Sequence, residues 1–199
     1  NEGISFLEKI LKIDKTTMIG SLSLTTAFLG FIYSISFTTA AVTLFMLALM
    51  PFLASIIAFI FLTEKISLQN FISMVIALIG TVIMIYASSF SGSIFGLIMG
   101  FISSLGFAAF SVTLRSKSDF KKFYILVYGG IFCALISSTI MIVQDQSFFI
   151  PSKNIFLSIF HGVIVASGLI LFSIGSKQLL SGELTMLSLL EVVGGIFWT

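Results

Sequence analysis

The sequence is poor in charged residues. Of its 199 residues, ten are Lys or Arg and eight are Asp or Glu, so that charged residues make up 9% of the chain and hydrophobic residues 58%. An ordinary soluble domain carries about 25% charged residues, because its surface faces water. Together with a mean hydropathy of +1.19, this composition excludes an ordinary soluble domain and predicts a polytopic membrane protein.

Cysteine and histidine are almost absent. The single cysteine, Cys133, permits no internal disulfide and no Cys-rich metal site, and the single histidine, His161, leaves too few ligands for a His-based cluster. We therefore expect no metal and no cofactor. The sequence contains no Walker A motif, so we expect no ATP binding by this chain. The net charge of +2 comes from the connections between apolar segments and predicts no nucleic-acid partner.

Long runs without charge locate the membrane spans. A spanning helix needs roughly 20 apolar residues, because it crosses ~30 Å of hydrocarbon at ~1.5 Å per residue. Residues 16–63 and 66–114 contain no charge, and each run is long enough for two spans. The predicted spans are Thr16–Ser36, Ala41–Leu62, Ile66–Ser88, Ser93–Leu114, Phe123–Val143, Ile155–Ser176 and an incomplete Leu184–Thr199. Because lipid offers backbone groups no water, these spans should be helices, and the predicted fold is an all-α integral membrane bundle.

The basic residues predict the sidedness of the chain. If the first span starts in the cytoplasm, nine of the ten basic residues lie inside and only Lys153 lies outside. The nine are Lys9, Lys12, Lys15, Lys65, Arg115, Lys117, Lys121, Lys122 and Lys177. Short loops rich in Lys and Arg resist translocation. We expect a multi-pass protein of the bacterial inner (plasma) membrane with these loops in the cytoplasm.

Glu191 is the main candidate for a functional residue inside the membrane. It lies eight positions into the last predicted span, with apolar residues on both sides. An acidic group at this depth costs at least ~2.5 kcal/mol, so it should face the protein interior or a water-filled cavity. Since desolvation disfavours the charged carboxylate, Glu191 could exchange a proton. The alternative is a protonated carboxyl group that only bonds a neighbouring helix.

His161 and Ser167, in the sixth predicted span, are the further candidates for substrate binding or proton coupling. A lone histidine in such a span is more often a hydrogen-bonding residue between helices than a proton relay, so both interpretations of His161 stay open.

Small residues recur every four positions in the fourth predicted span. They are Gly92, Gly96, Gly100, Ser104 and Ala108, and the sixth span has the similar series Ser158, Gly162 and Ala166. Such a series forms a shallow groove where a second helix can approach closely. We expect both series to mediate helix packing.

Pro51 lies inside the second predicted span and predicts a helix kink or a free carbonyl group there. Transporters place such breaks beside sites near the middle of the membrane. Proline is also simply tolerated in membrane helices, so this residue does not decide between a site and a plain kink.

The stretch from Thr38 to Tyr86 resembles the EamA family of the drug/metabolite transporter superfamily. It reads TTAAVTLFMLALMPFLASIIAFIFLTEKISLQNFISMVIALIGTVIMIY. The similarity rests on a small-residue entry near Ala40, Pro51 within the helix, Glu64 at the cytoplasmic end and Gly80 in the next span. Later, LLEVVGGIFW resembles the region where family members often have Glu followed by Pro, although Val192 replaces that proline.

The resemblance implies a ten-helix transporter built from two repeats of five helices. Residues 1–88 would be the C-terminal part of the first repeat, with three spans, and residues 92–199 a truncated second repeat, with four. The chain would then be a fragment with about seven helices. Corresponding spans lie five apart, an odd number, so the two copies would cross the membrane in opposite directions. Such inverted repeats place the transport site at their interface near the midplane.

These features favour a secondary transporter or exporter of small metabolites or drugs that works by alternating access, with Glu191 exchanging a proton or holding a cationic group of the substrate. Its expected partners are the lipid bilayer, a small-molecule substrate and protons, with homo-oligomers left open. A seven-helix receptor or sensor is the alternative. We expect no enzyme: Ala166–Ser167–Gly168 faintly resembles a rhomboid protease motif, but Val165 replaces its leading glycine.

Overall fold

The chain is all-α wherever the computed structural model describes it, which is over residues 14–87, 93–116, 119–147 and 151–198. In those ranges it forms eight helices: α1 (Lys15–Phe37), α2 (Ala40–Leu47), α3 (Met50–Leu62), α4 (Leu68–Ala87), α5 (Ile94–Arg115), α6 (Asp119–Val143), α7 (Ser152–Gly175) and α8 (Ser181–Trp198). Five stretches in the described part are long and apolar enough to span a membrane: Lys15–Phe37, Ala40–Leu62, Ile94–Arg115, Lys122–Val143 and Asn154–Gly175. The predicted all-α membrane fold is confirmed.

Polar side chains at the helix starts define several of these boundaries. Asp14 caps α1 by accepting a hydrogen bond from the backbone N–H of Thr17 (3.2 Å). Thr39 caps α2 in the same way, and Ser93 caps α5. Such caps satisfy N–H groups that have no partner within their own helix. The break predicted at residues 37–40 therefore coincides with a change of backbone direction at Thr38 and Thr39.

The second span is broken. α2 ends at Leu47 and α3 begins at Met50, with Ala48 and Leu49 between them. Pro51 is buried in the first turn of α3, where its missing N–H is tolerated. Because Pro51 cannot donate to the carbonyl of Leu47, the helix cannot run through this point without losing a hydrogen bond. The two pieces together still form one apolar span.

α1 and α5 pack against each other in antiparallel directions. A Cβ atom added to Gly30 would lie 2.8 Å from the carbonyl oxygen of Met99, and one added to Gly106 would lie 2.8 Å from the backbone nitrogen of Ala27. The hydroxyl of Ser103 donates to the carbonyl of Ala27 at 2.7 Å. The two backbones are therefore in direct contact, which glycine permits and a larger residue would prevent.

α6 packs on the other side of α1 and runs parallel to it. Thr25 donates to the carbonyl of Gly129 (3.0 Å), and Ser21, one turn earlier, donates to the carbonyl of Ile125 (3.1 Å). The hydrophobic core lies where α1, α5 and α6 meet, and consists of Leu24, Phe110, Leu114 and Ile125. Since α1 is antiparallel to α5 and parallel to α6, the directions agree with successive spans that alternate across the membrane.

α7 lies at the edge of the bundle. Phe172, near its C-terminal end, stacks on Phe110 with ring centroids 6.1 Å apart. Within Asn154–Gly175, by contrast, the most apolar window is 0% buried. Among the described residues, no atom lies within 4 Å of a Cβ placed on Gly162. The expected close packing along the series that contains Gly162 is thus absent from the described structure.

Candidate functional site: a charged cleft at one end of the bundle

Three connections meet at the same end of the bundle, and Glu64 joins them. It follows the C-terminal end of α3, and its Oε1 atom accepts a hydrogen bond from Arg115 Nε at the end of α5, forming an ion pair. Its Oε2 atom accepts from the backbone N–H of Ser181, the first residue of α8, at 3.0 Å. The side chains are 13% exposed for Glu64 and 25% for Arg115, so water screens this pair only in part.

Two cations hold the C-terminal end of α7. Arg115 Nη1 donates to the carbonyl oxygens of Leu179 (2.6 Å) and Ser176 (3.2 Å). Lys122, which is only 3% exposed, donates through Nζ to the hydroxyl of Ser176 at 2.8 Å. The last carbonyl groups of a helix lack partners and carry partial negative charge, so cations stabilise this position.

Two carboxylates hold the N-terminal end of α8. Besides Glu64, the Oε2 atom of Glu183 accepts a hydrogen bond from the backbone N–H of Leu180 at 3.1 Å, which closes the first turn of the helix. Glu183 Oε1 accepts from Asn70 Nδ2 of α4 at 2.6 Å. Cations thus bind the carbonyl groups at the C-terminal end of α7, and carboxylates bind the N–H groups at the N-terminal end of α8. Both arrangements match the signs of the helix dipoles.

A narrow cleft lies beside this network, between α3, α4 and α8. It is lined by Ser55, Ala58, Glu64, Lys65, Ile66, Asn70, Met74, Leu180, Gly182 and Glu183. Its interior volume of about 10 Å³ has room for about one water molecule. Gly182 closes its inner part: a Cβ at this position would collide with the hydroxyl of Ser55 and lie 2.8 Å from Met74 Cε. The absence of a side chain at Gly182 therefore lets α8 pack closely against α3 and α4 beside the cleft.

A second polar region surrounds the broken span. Thr43 of α2 shares hydrogen bonds with the hydroxyls of Ser34 (3.0 Å) and Thr38 (3.1 Å). Ser104 of α5 donates to the carbonyl of Met46, just before the break. These buried hydroxyls satisfy backbone and side-chain groups that lipid would leave without partners.

Of the predicted coupling residues, the two whose side chains are described, His161 and Ser167, do not line the cleft. Glu191 lies on α8, but its side chain is outside the described residues. His161 and Ser167 lie on the exposed face of α7, where the Ser167 hydroxyl donates to the carbonyl of Val163 in its own helix (2.8 Å). The structure therefore places His161 and Ser167 on an exposed helix face, outside the lining of the cleft.

The remaining predicted residues differ in how closely other helices approach them. Glu64 is in the charged network, Gly96 approaches Thr38, and Gly100 lies between Ser34 and Met46. Gly80 lies on α4, where the described residues place no atom within 4 Å of a Cβ built on it. Gly92 lies outside the described residues.

Sequence reasoning missed Asn70, Lys122, Ser176 and Glu183 as members of this network. A usable signal was present: these residues and Glu64 flank short connections that the basic residues place on one side of the membrane. Opposite charges confined to one end of a small bundle have few partners other than each other. Which carboxylate would meet which cation could not be read from spacing, because Arg115 is 51 positions from Glu64 in the chain.

A comparison with protein-family models shows what part of the chain is similar to. The model of the EamA-like transporter family matches residues 6–86, which are less than half of the chain. These residues are therefore similar to the EamA-like transporter family. We call them the EamA segment. It contributes Ser55, Glu64, Asn70 and Met74 to the cleft, and the later part of the chain contributes Leu180, Gly182 and Glu183. Comparisons with curated proteins and with solved structures gave no match for this chain.

Proposed function

We propose that this protein is a secondary transporter that carries a small metabolite or drug across the membrane by alternating access. The observation that carries the proposal is the cleft between the EamA segment and α8, whose two sides are joined at the charged end by the bond between Glu64 and the backbone N–H of Ser181. Alternating access requires a pathway between two parts of a bundle that closes on one side at a time. The positive-inside rule favours a cytoplasmic position for the charged end, in a bacterial inner membrane.

The two parts are proposed to be inverted repeats, residues 1–88 and 92–199. The helix directions support this division, since α1 is antiparallel to α5 and parallel to α6. Spans that alternate in this way, with corresponding members five apart, cross the membrane in opposite directions. The cleft would then lie between one repeat and the other, as in many secondary transporters.

Glu191 is proposed to bind the coupling proton or a cationic group of the substrate, with His161 and Ser167 as further polar contacts on the pathway. Glu191 is ten residues beyond Ser181, where α8 begins at the charged end. At ~1.5 Å per residue, this places its backbone ~15 Å into the membrane, near the middle of the ~30 Å hydrocarbon layer. A carboxyl group at that depth is expensive and by default has a function.

The test is transport by the full-length protein in proteoliposomes with a panel of metabolites and drugs, measured over a range of pH. Glu191→Gln should remove the dependence of transport on pH, because an amide cannot release a proton at this position, while folding is retained. Asp145→Asn is the matched control. Asp145 is exposed after α6 with φ 51°, a conformation that asparagine tolerates equally.

Two outcomes would count against the proposal. Unchanged transport and pH dependence in Glu191→Gln would remove the coupling role of Glu191. Failure of the full-length protein to move any solute of the panel, in either direction, would favour the receptor or sensor alternative.

A further inference from the structure

Glu64 occupies a position where one side chain fixes the end of the cleft. Its carboxylate bonds Arg115 of α5 through one oxygen and the N-terminus of α8 through the other. Arg115 in turn bonds the carbonyls of Ser176 and Leu179. Breaking the contacts of Glu64 would therefore remove its polar links to α5 and α8 at once.

The backbone just before Glu64 is strained. Thr63 ends α3 in the left-handed region, with φ 55° and ψ 25°. A β-branched residue rarely adopts this conformation, and it persists only where the surrounding contacts determine it. The left-handed turn carries the chain sharply off the helix axis and directs the next residue toward Arg115. Strain adjacent to a polar contact is typical of segments that change conformation.

We propose that Glu64 and Arg115 form a latch that closes the charged end of the cleft, and that the latch opens when the cleft opens to that side. This inference rests on the proposed function, because an opening at this end is needed only if the cleft is a pathway. Glu64 acts here as a positioning residue. It holds the ends of α3 and α8 together.

The latch can be tested by the accessibility of the cleft in the full-length protein, reconstituted in nanodiscs. Met74 lines the cleft and is 2% exposed, so Met74→Cys in a Cys133→Ser background reports on its opening. The probe is an uncharged maleimide coupled to polyethylene glycol. Glu64→Gln should raise the labelling rate about tenfold, which corresponds to ~1.4 kcal/mol in the closing equilibrium.

A control and a second variant make the result decisive. Lys15→Gln removes an exposed charge from the same end outside the latch and should leave the labelling rate unchanged. Arg115→Lys keeps the positive charge, but an ammonium group cannot reproduce the planar guanidinium contacts to Glu64 and two carbonyls. It should raise labelling by less than Glu64→Gln, and it supplies the test if the Glu64 variant does not fold.

Labelling at the parent rate in both variants would overturn the latch. The measurement needs no substrate, so its result is separate from that of the transport assay. Faster labelling in a protein that moves no solute would retain the latch and reject the transport function. Transport together with unchanged labelling would retain the transport function and reject the latch.

Discussion

The interface between α1 and α5 and the exposed face of α7 both carry small residues at helical spacing. Only at the first does a neighbouring helix of the described structure pack against these residues. On α5, Gly106 lies so close to α1 that a Cβ would be 2.8 Å from the carbonyl oxygen of Ser23. On α7, the described residues leave open space around Gly162 and Gly168. Small residues therefore show where a helix could approach, and the structure shows where one does.

The difference also explains which residues tolerate change. At the α1–α5 interface the nearest atoms belong to a backbone, which cannot move aside as a flexible side chain can. A side chain added there must push the two helices apart, whereas one added at Gly162 or Gly168 of α7 meets no neighbouring helix in the described structure. The same substitution should consequently have opposite effects in the two regions.

The largest expected difference is between Gly106→Ala and Gly162→Ala. Gly106→Ala should lower the free energy of unfolding by about 1–3 kcal/mol, because the new methyl group overpacks a backbone contact. Gly162→Ala should leave it unchanged or raise it by up to about 1 kcal/mol, since alanine favours the helix over glycine. Unfolding of the full-length protein in mixed micelles, followed by circular dichroism, measures both.

Equal destabilisation by the two alanines would show that α7 is packed as tightly as α5 in the full-length protein, and the contrast between the two regions would be lost. A neutral Gly106→Ala would instead show that α1 and α5 do not touch as described.

A smaller difference is expected between Ser103→Ala and Ser167→Ala. The Ser103 hydroxyl is buried and bonds the Ala27 carbonyl across the α1–α5 interface, so its loss should cost about 1 kcal/mol of unfolding free energy. Ser167 is exposed and bonds only its own helix in the described structure, so its replacement should change stability by less than about 0.5 kcal/mol. The same denaturation assay tests both.

A stability loss of similar size in Ser167→Ala would indicate that Ser167 is buried in the full-length protein. Loss of transport in Ser167→Ala at unchanged stability would instead support its proposed place on the pathway.

Many of the helices could be predicted from the runs of sequence without charged residues. The predicted span Thr16–Ser36 differs from α1 by one residue at each end, because a lipid environment limits both the length and the composition of a helix. The break near Pro51 followed from the missing N–H of proline. The partners of the helices could not be derived in this way, since small residues mark α5 and α7 alike.

The series of small residues on α5 illustrates the limit. A repeat of four residues advances by ~400°, so it drifts ~40° around the helix at each step. Gly96 faces the end of α1, and Gly100 lies between Ser34 of α1 and Met46 of α2. Ser104 bonds Met46, and the backbone contact with α1 passes to Gly106, outside the series. A fixed spacing identifies a face only over about two turns.

The charged site was predictable only in part. Glu64 was singled out by the family resemblance, and the expected cytoplasmic loops contain Arg115. Their pairing depends on how α3, α5 and α8 meet, and no local pattern encodes that meeting. The roles proposed for Glu191, His161 and Ser167 stay predictions, because the side chain of Glu191 is outside the described residues and the other two do not line the cleft.

The central claim is that the EamA segment and α8 separate at the charged end during transport. A Cβ at Gly182 would lie 3.4 Å from the Cβ of Ser55, close to the ~3.8 Å typical of disulfides. In a Cys133→Ser background, oxidation of Ser55→Cys with Gly182→Cys should lock α3 to α8 and stop transport in proteoliposomes. Dithiothreitol should restore it, and each single cysteine should be insensitive to the oxidant. Transport by the cross-linked protein at the rate of the reduced protein would contradict the account.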